Sequence, residues 1–304
     1  MARRAVCVVQ FYAAVWKVLR EMCSDKVAVG SVEIEVSPGH IYLAPDLPQT
    51  YDYVPWNVVS HVMLAGGLQQ ASLIDNGANV GDTLAHFRRF SSGPVICVEP
   101  ASNFFEILQR NVAQFSNVTL VKSLLVPDEM VGKVAFVSGD QTGATRSAER
   151  DESVWGGEYV TFTDLFSNSA GPYIVKTDTD GFDALIVKSA LPHIQNKNAD
   201  VPVIFFEGPS EDQMKSGSYK DYTDVCADLI GLGYRLLFLT NIGMPYGCFD
   251  SAEAVASAFA ALETGYQRGY ALCHYYDVIA IREDLVTEEI RLAKPWGEQF
   301  FRRD

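Results

Sequence analysis

The six cysteines, at positions 7, 23, 97, 226, 248 and 273, include no C-x-x-C pair, so neither a zinc site nor a disulfide framework is indicated. Several lie in apolar runs, where a free thiol packs as a small hydrophobe, and a reducing, cytoplasmic setting is the expectation. Positive charge is scarce too. Lys and Arg number 24 against 38 Asp and Glu, a net charge of −14. Such a surface repels phosphate backbones and anionic lipid, which argues against nucleic acid and membranes as partners. No internal repeat or low-complexity tract occurs.

What is present is globular. The 304 residues are 48% apolar, enough to bury a sizeable core in one large α/β domain with an N-terminal extension. Arg3 and Arg4 precede an apolar stretch from Ala5 to Leu19 that superficially looks like a signal sequence. Gln10 and Lys17 interrupt it, and it is too short to span a bilayer. Phe11, Val15, Val18, Leu19 and Met22 fall at helical spacing, so the simpler reading is an amphipathic helix packed on the main domain.

Two β-like segments follow, Ser31–Val36 and His40–Leu43, around the turn Ser37-Pro38-Gly39. A passage rich in Pro and Tyr leads into a helix from about Asn57 to Leu68. Its aromatics offer either a sugar platform or plain packing. This extension covers residues 1–69. From residue 70 to 304, apolar strands alternate with amphipathic helices. The strands read Ser72–Asp75, Val95–Glu99, Val118–Val121, Tyr173–Asp178, Val203–Glu207, Arg235–Thr240 and Tyr276–Ile281. That pattern predicts a mostly parallel, seven-stranded sheet with helices on both faces, an α/β Rossmann-like fold. It fits a class I methyltransferase and a dinucleotide-binding dehydrogenase equally well. Lys133–Val137 and Glu158–Phe162 read as additional β segments, and the polar 139–157 stretch as a lid or a plain hairpin connection with Arg146 as a cation.

The most informative segment is Asp75-Asn76-Gly77-Ala78-Asn79-Val80-Gly81-Asp82-Thr83, between a strand and a helix. Gly77 and Gly81 allow a tight turn and close approach of a ligand, and Asn79 tolerates left-handed geometry. Asp82 or Thr83 is available to cap the helix. The spacing Gly77-x-x-x-Gly81 departs from G-x-G-x-x-G, and Asp75 would repel a pyrophosphate on this helix terminus. The same carboxylate suits the cationic amino and sulfonium groups of S-adenosylmethionine, directly or through water. Glu99, 18 residues past Gly81 and followed by Pro100, stands where an acid receives ribose hydroxyls. Ser123 and Leu124 stand where an adenine ring is contacted.

Tyr173–Asp178 delivers Lys176 and Asp178 to the ligand-binding edge of the sheet, on one side of the strand. They form either a structural ion pair or a catalytic one. Methyl transfer to an alcohol needs alignment, exclusion of water and a base; Asp178 is the first candidate, Asp180 the second, with Lys176 positioning the base or polarising the acceptor. Asp178, Asp180 and Glu207 together suit Mg2+, although carboxylates sharing an edge without a metal are the commoner arrangement.

The turn Asp75-Asn76-Gly77-Ala78-Asn79-Val80-Gly81 resembles the D-x-G-A-N-x-G turn of the FkbM family of methyltransferases. Val98-Glu99-Pro100-Ala101-Ser102-Asn103-Phe104-Phe105, with Leu108 and Asn111, resembles its F-E-P-x-x-x-x-F segment, in which Asn103 joins the cofactor-side residues. Lys176-Thr177-Asp178-Thr179-Asp180-Gly181-Phe182-Asp183 resembles its K-x-D-x-E-G-x-E segment, and Phe206-Glu207 its closing strand. The likeness covers about residues 70–210, with Asp180 and Asp183 where the family carries Glu. It implies S-adenosylmethionine-dependent O-methylation of a small acceptor, often a sugar. Two other readings stay open: an NAD(P)-dependent oxidoreductase on a similar sheet, and a non-catalytic S-adenosylmethionine-binding module. No Tyr-x-x-x-Lys donor of the kind the oxidoreductase reading wants is found.

Overall fold

The computed structural model describes residues 25–43, 52–138, 143–147, 155–167, 171–271 and 273–291; the helix expected over residues 5–22 lies outside them. The described chain begins with a hairpin, β1 (Asp25–Val29) and β2 (Val32–Val36). Alternation in β2 turns Ile34 and Val36 inward and leaves Glu33 exposed. The second segment expected as a strand is instead a 3-10 turn, Ile41–Leu43. Among the described residues no strand pairs with it, and Leu43 N donates back to His40 O at 2.9 Å. Helix α1 (Tyr53–Ala65) starts earlier than the expected Asn57. Pro55 lies in its first turn, where the missing N–H breaks no helical bond.

The main unit then runs β3 (Ser72–Asn76), α2 (Asp82–Arg88), β4 (Val95–Val98), α3 (Ser102–Val112), β5 (Val118–Val121) and the short β6 (Leu124–Leu125). Next come β7 (Val134–Ser138), β8 (Gly143–Ser147), β9 (Tyr159–Val160) and α4 (Phe162–Phe166). The chain continues through β10 (Tyr173–Thr177), α5 (Asp183–Gln195), β11 (Val203–Glu207), α6 (Glu211–Ser216), α7 (Lys220–Gly231) and β12 (Tyr234–Thr240). It closes with β13 (Pro245–Phe249), α8 (Ala252–Arg268), β14 (Tyr276–Arg282) and α9 (Glu288–Arg291). β7 and β8 form a hairpin and β9 pairs with β6, so the segment between β5 and β10 is β-rich, as its residues suggest. The side chain of Arg146 lies outside the description.

The large sheet has the order β13-β12-β14-β11-β10-β3-β4-β5. The five strands from β5 to β11 are parallel. β14, the last along the chain, inserts antiparallel between β11 and β12. A dinucleotide-binding sheet places its sixth strand directly beside the fifth. Here the seventh main strand occupies that place, which makes the sheet that of a Rossmann-like class I methyltransferase fold. It has eight strands rather than seven. The additional β13 contains Pro245 and Gly247, letters that read as loop and that a strand tolerates at an edge.

Strand residues alternate between two cores. Val175, Phe206, Leu236 and Ala280 face α5, α7 and α8, whereas Ile174, Phe205, Leu237 and Ile279 face α1, α2 and α3. Trp56 of α1 packs edge-on against Phe87 and Phe205, so α1 belongs to the helical layer of the main sheet. Tyr53 and Trp56 are buried and are packing residues, which removes them as a sugar platform. The β1–β2 hairpin rests on α2 and α3, with Asn111 bonding both the N–H and the C=O of Glu35.

Candidate functional site

A cleft opens where β3, β4, β10 and β11 end and β14 begins. Its floor is the turn leaving β3, in which Gly77, Asn79 and Gly81 all adopt left-handed backbone, at φ 78°, 46° and 92°. Gly77 N and Ala78 N donate to Val98 O at 3.0 and 3.1 Å, and Asp178 N donates to Asn76 O at 3.0 Å. Three strand ends are thereby tied together. The space a Cβ would take at Gly77 is filled by the backbone of Asp178, so this glycine serves contact between β3 and β10 rather than room for a ligand. Gly81 is itself the N-cap of α2, and no side chain caps the helix. Asp82 and Thr83, expected as caps, stand at the first two helical positions and line the cleft.

Asp75 departs from its expected position. It is fully buried beneath the cleft, and neither carboxylate oxygen is hydrogen-bonded. In register with it on β10 is Lys176, whose Nζ lies 3.8 Å from its Oδ1. Strand register sets Asp75 beside this neighbour, and Asp75 is not among the residues lining the cleft. Burial pushes its pKa up to about 7, and Lys176 restrains the rise.

Lys176 Nζ donates to Asp178 Oδ2 at 3.1 Å, joining the two residues that the sequence places on one side of the strand. Burial opposes the ammonium charge, but Asp178, Asp75 and Asp82 outweigh it and hold Lys176 protonated. Asp178 is half-exposed at the cleft. Asp180, also lining the cleft, takes a left-handed backbone at φ 53°. Asp183 shapes this turn: it accepts from Thr177 Oγ1 at 2.9 Å and Thr179 N at 3.1 Å. Gln213 on α6 adds a bond to Gly181 O at 3.1 Å.

Glu99 accepts from Asn79 N at 2.9 Å and Ala101 N at 2.8 Å, one bond on each oxygen. Each oxygen keeps a second acceptor site. Burial raises its pKa to about 7, against the two N–H bonds. Pro100 lines the cleft beside it. Asn103 lies exposed on α3 and Ser123 is buried, and neither lines the cleft; Leu124, expected beside Ser123, does so, with Phe104 and Phe136.

The far wall sets Glu207 beside an acid that the sequence pattern did not single out. Asp277 on β14 is the register partner of Glu207 on β11, and both line the cleft with Tyr275 and Phe205. Burial, then Asp178, pushes Glu207 well above the carboxylate range, and burial, then Asp52, does the same to Asp277. The roof comes from the N-terminal segment, through His40, Ile41, Tyr42 and Asp52. Asp277 has a sequence signal, an acid inside an apolar strand. Asp52 has a weaker one, an acid just ahead of a helix.

Seven carboxylates line the cleft, Asp52, Asp82, Glu99, Asp178, Asp180, Glu207 and Asp277, and Lys176 is the Lys or Arg side chain among the described lining residues. Among the described residues no cluster has a metal-holding arrangement, and no helix is long and apolar enough to cross a membrane.

No protein-family model matches the chain, and no curated protein matches it by sequence. Solved structures that resemble it include the precorrin-6y C5,15-methyltransferase of Geobacter metallireducens, at 13% identity over 74% of this chain and 88% of that one, with a TM-score of 0.35. Fibrillarin of Aeropyrum pernix with natively bound S-adenosyl-L-methionine has 11% identity over 74% and 76% of the two chains and a TM-score of 0.37. The plantazolicin methyltransferase BpumL in complex with SAH has 8% identity over 78% and 86% and a TM-score of 0.40. The fold stated above stands on the strand order of this chain.

Proposed function

We propose that the chain is an S-adenosylmethionine-dependent methyltransferase that acts on a hydroxyl of a small, neutral, sugar-type acceptor, in the manner of the FkbM family. The observation that carries this reading is the acidity of the cleft: seven Asp and Glu side chains against one lysine, groups that an incoming cation ionises and an anion does not, at the ligand-binding edge of a methyltransferase-type sheet. A pyrophosphate-bridged cofactor would enter against that field, whereas a sulfonium with an ammonium group is drawn into it. The glycine-turn residues Gly77, Asn79 and Gly81, with Asp82 and Thr83, would flank the methionine portion. Glu99 has free acceptor sites for the ribose hydroxyls, and Pro100, Phe104, Leu124 and Phe136 offer an apolar slot for the adenine ring. Asp75 acts from below, through Lys176.

When bound, the donor supplies an activated methyl group. The protein's own tasks are to align the acceptor, exclude water and receive a proton. Lys176 fixes the Asp178 carboxylate toward the acceptor side, where Asp180, Glu207 and Asp277 line the remaining wall. The carbohydrate reading rests on the family likeness and on a cleft whose acids bind hydroxyls well and repel anionic acceptors. A thermal-shift comparison of S-adenosylhomocysteine, S-adenosylmethionine, NAD and NADP tests the donor. Stabilisation by the first two alone is the expected result. Stabilisation by NAD or NADP, with no response to S-adenosylhomocysteine at millimolar concentration, would overturn the proposal.

A further inference from the structure

Asp52 holds the N-cap position of α1 without capping it. An Asp there ordinarily accepts from an N–H of the first turn. This one has φ 55°, a left-handed conformation uncommon for a residue with a Cβ, and makes no cap bond. Its carboxylate belongs to the cleft instead, where Tyr42 Oη donates to Oδ2 at 2.6 Å. The Tyr42 oxygen is also 3.2 Å from Nε2 of His86. His86 is fully buried, and burial with Arg89 lowers its pKa to about 3, so it is neutral. With its proton on Nε2, it donates to Tyr42 and Tyr42 donates onward, so the chain of donors ends on Asp52. Two local preferences are given up at one residue, a departure that concentrates at functional sites.

Charged groups act on Asp52 from several elements of the cleft. Asp82 faces it from the start of α2, Lys176 and Asp178 from the end of β10, and Asp277 from β14. His40 stands beside Asp82. Asp82 belongs to the glycine-turn end of the cleft and Asp277 to the Glu207 end. Asp52 lines the same cleft as Asp82, on the side assigned to the donor, and Asp277, on the side assigned to the acceptor.

We infer that Asp52 is the catalytic base. It takes the proton of the acceptor hydroxyl while a lone pair on that oxygen forms the bond to the methyl carbon. The carbon–sulfur bonding pair leaves with sulfur, giving a methyl ether, a neutral thioether and a protonated Asp52. The inference rests on the methyl-donor reading above. It transfers proton acceptance from Asp178, whose carboxylate is engaged by Lys176, to a residue of the segment ahead of the main sheet. Burial and then Asp82 push Asp52 up to about 7, with Tyr42 and Lys176 opposing. A base poised there is effective near neutral pH.

The test compares wild type, Asp52→Asn and Tyr42→Phe. Asn tolerates left-handed backbone and can still accept from Tyr42, so the fold is preserved. S-adenosylhomocysteine affinity is measured by calorimetry. Turnover is measured as S-adenosylhomocysteine release from S-adenosylmethionine with a panel of monosaccharides and methyl glycosides. Asp52→Asn is expected to hold affinity within about twofold while kcat falls roughly 10²- to 10⁴-fold and loses its acidic limb. Tyr42→Phe removes a bond to the charged carboxylate, so its acidic limb moves to higher pH. An Asp52→Asn kcat within about threefold of wild type overturns the inference. So does an affinity loss that accounts for the kcat loss, which would make Asp52 an anchor for the donor ammonium. Failure of wild type to bind S-adenosylhomocysteine is failure of the donor reading instead. Binding without release on any sugar overturns the hydroxyl acceptor, and the base with it.

Discussion

The backbone of Gly77 lies so close to the carbonyl of Asp178 that a Cβ at position 77 would overlap that oxygen. The glycine turn is therefore a weld between the donor half of the cleft and the strand end that carries Lys176. Gly67 has a similar φ of 68° with nothing within 4 Å of its Cβ position. Gly67→Ala should cost about 1 kcal/mol for the left-handed backbone alone. Gly77→Ala should cost at least roughly 3 kcal/mol, since backbone must also move. Urea denaturation of the two variants checks the difference, and equal costs would mean that the contact carries no energy.

Lys176 and Asp75 are a buried pair with few other partners. Lys176→Met should destabilise the fold by roughly 3–5 kcal/mol, because it leaves a carboxylate buried without its counter-charge. Adding Asp75→Asn to that variant should recover more than about 1 kcal/mol. A double-mutant cycle by denaturation reads the coupling, and strictly additive losses would count against it.

Glu99→Gln keeps the shape of the side chain but leaves one N–H, of Asn79 or Ala101, facing an amide NH2. Affinity for S-adenosylhomocysteine should drop by about 1.5–3 kcal/mol, or roughly 10- to 100-fold. Calorimetry measures this directly, and an unchanged affinity would remove Glu99 from the donor site.

Stability should fall as pH rises from about 4 to about 7. Asp52, Asp75, Glu99 and Asp183 are each raised to about 7 in the folded state, by burial first. Between the unfolded and folded values the unfolded chain binds fewer protons at these sites, so deprotonation favours unfolding. Above about 7 the penalty is complete and the curve flattens. Thermal unfolding of the ligand-free protein should give a lower Tm at pH 7 than at pH 5. Even 1 kcal/mol corresponds to about 2 °C in a chain of this size. A Tm rising over that interval would contradict the burial of these groups.

The sheet was legible because its strands are almost wholly apolar and end at glycine or acidic turns, as at Val203–Glu207. β13 was hidden by its Pro and Gly, and β1 by three charged or small letters in five. In the site, Lys176 and Asp178 followed from strand period, and Glu99 from its distance to the turn. The burial of Asp75 was not legible, because adjacency to the turn says nothing about its neighbour across the sheet, which is Lys176. Asp52 and Asp277 reach the cleft only through the packing of α1 and the insertion of β14, both long-range events that no local pattern records.

Among the described residues the β12–β13 hairpin is hydrogen-bonded to the rest of the sheet through β14 alone, the last described strand. Until that segment threads between β11 and β12, the sheet stands divided, and Asp277 is missing from the crevice. A chain ending before Tyr276 would hold the glycine turn, Glu99 and Glu207 but would lack Asp277 and a seat for the hairpin. The strand that joins the hairpin to the parallel strands is thus also the one that brings Asp277 to the crevice.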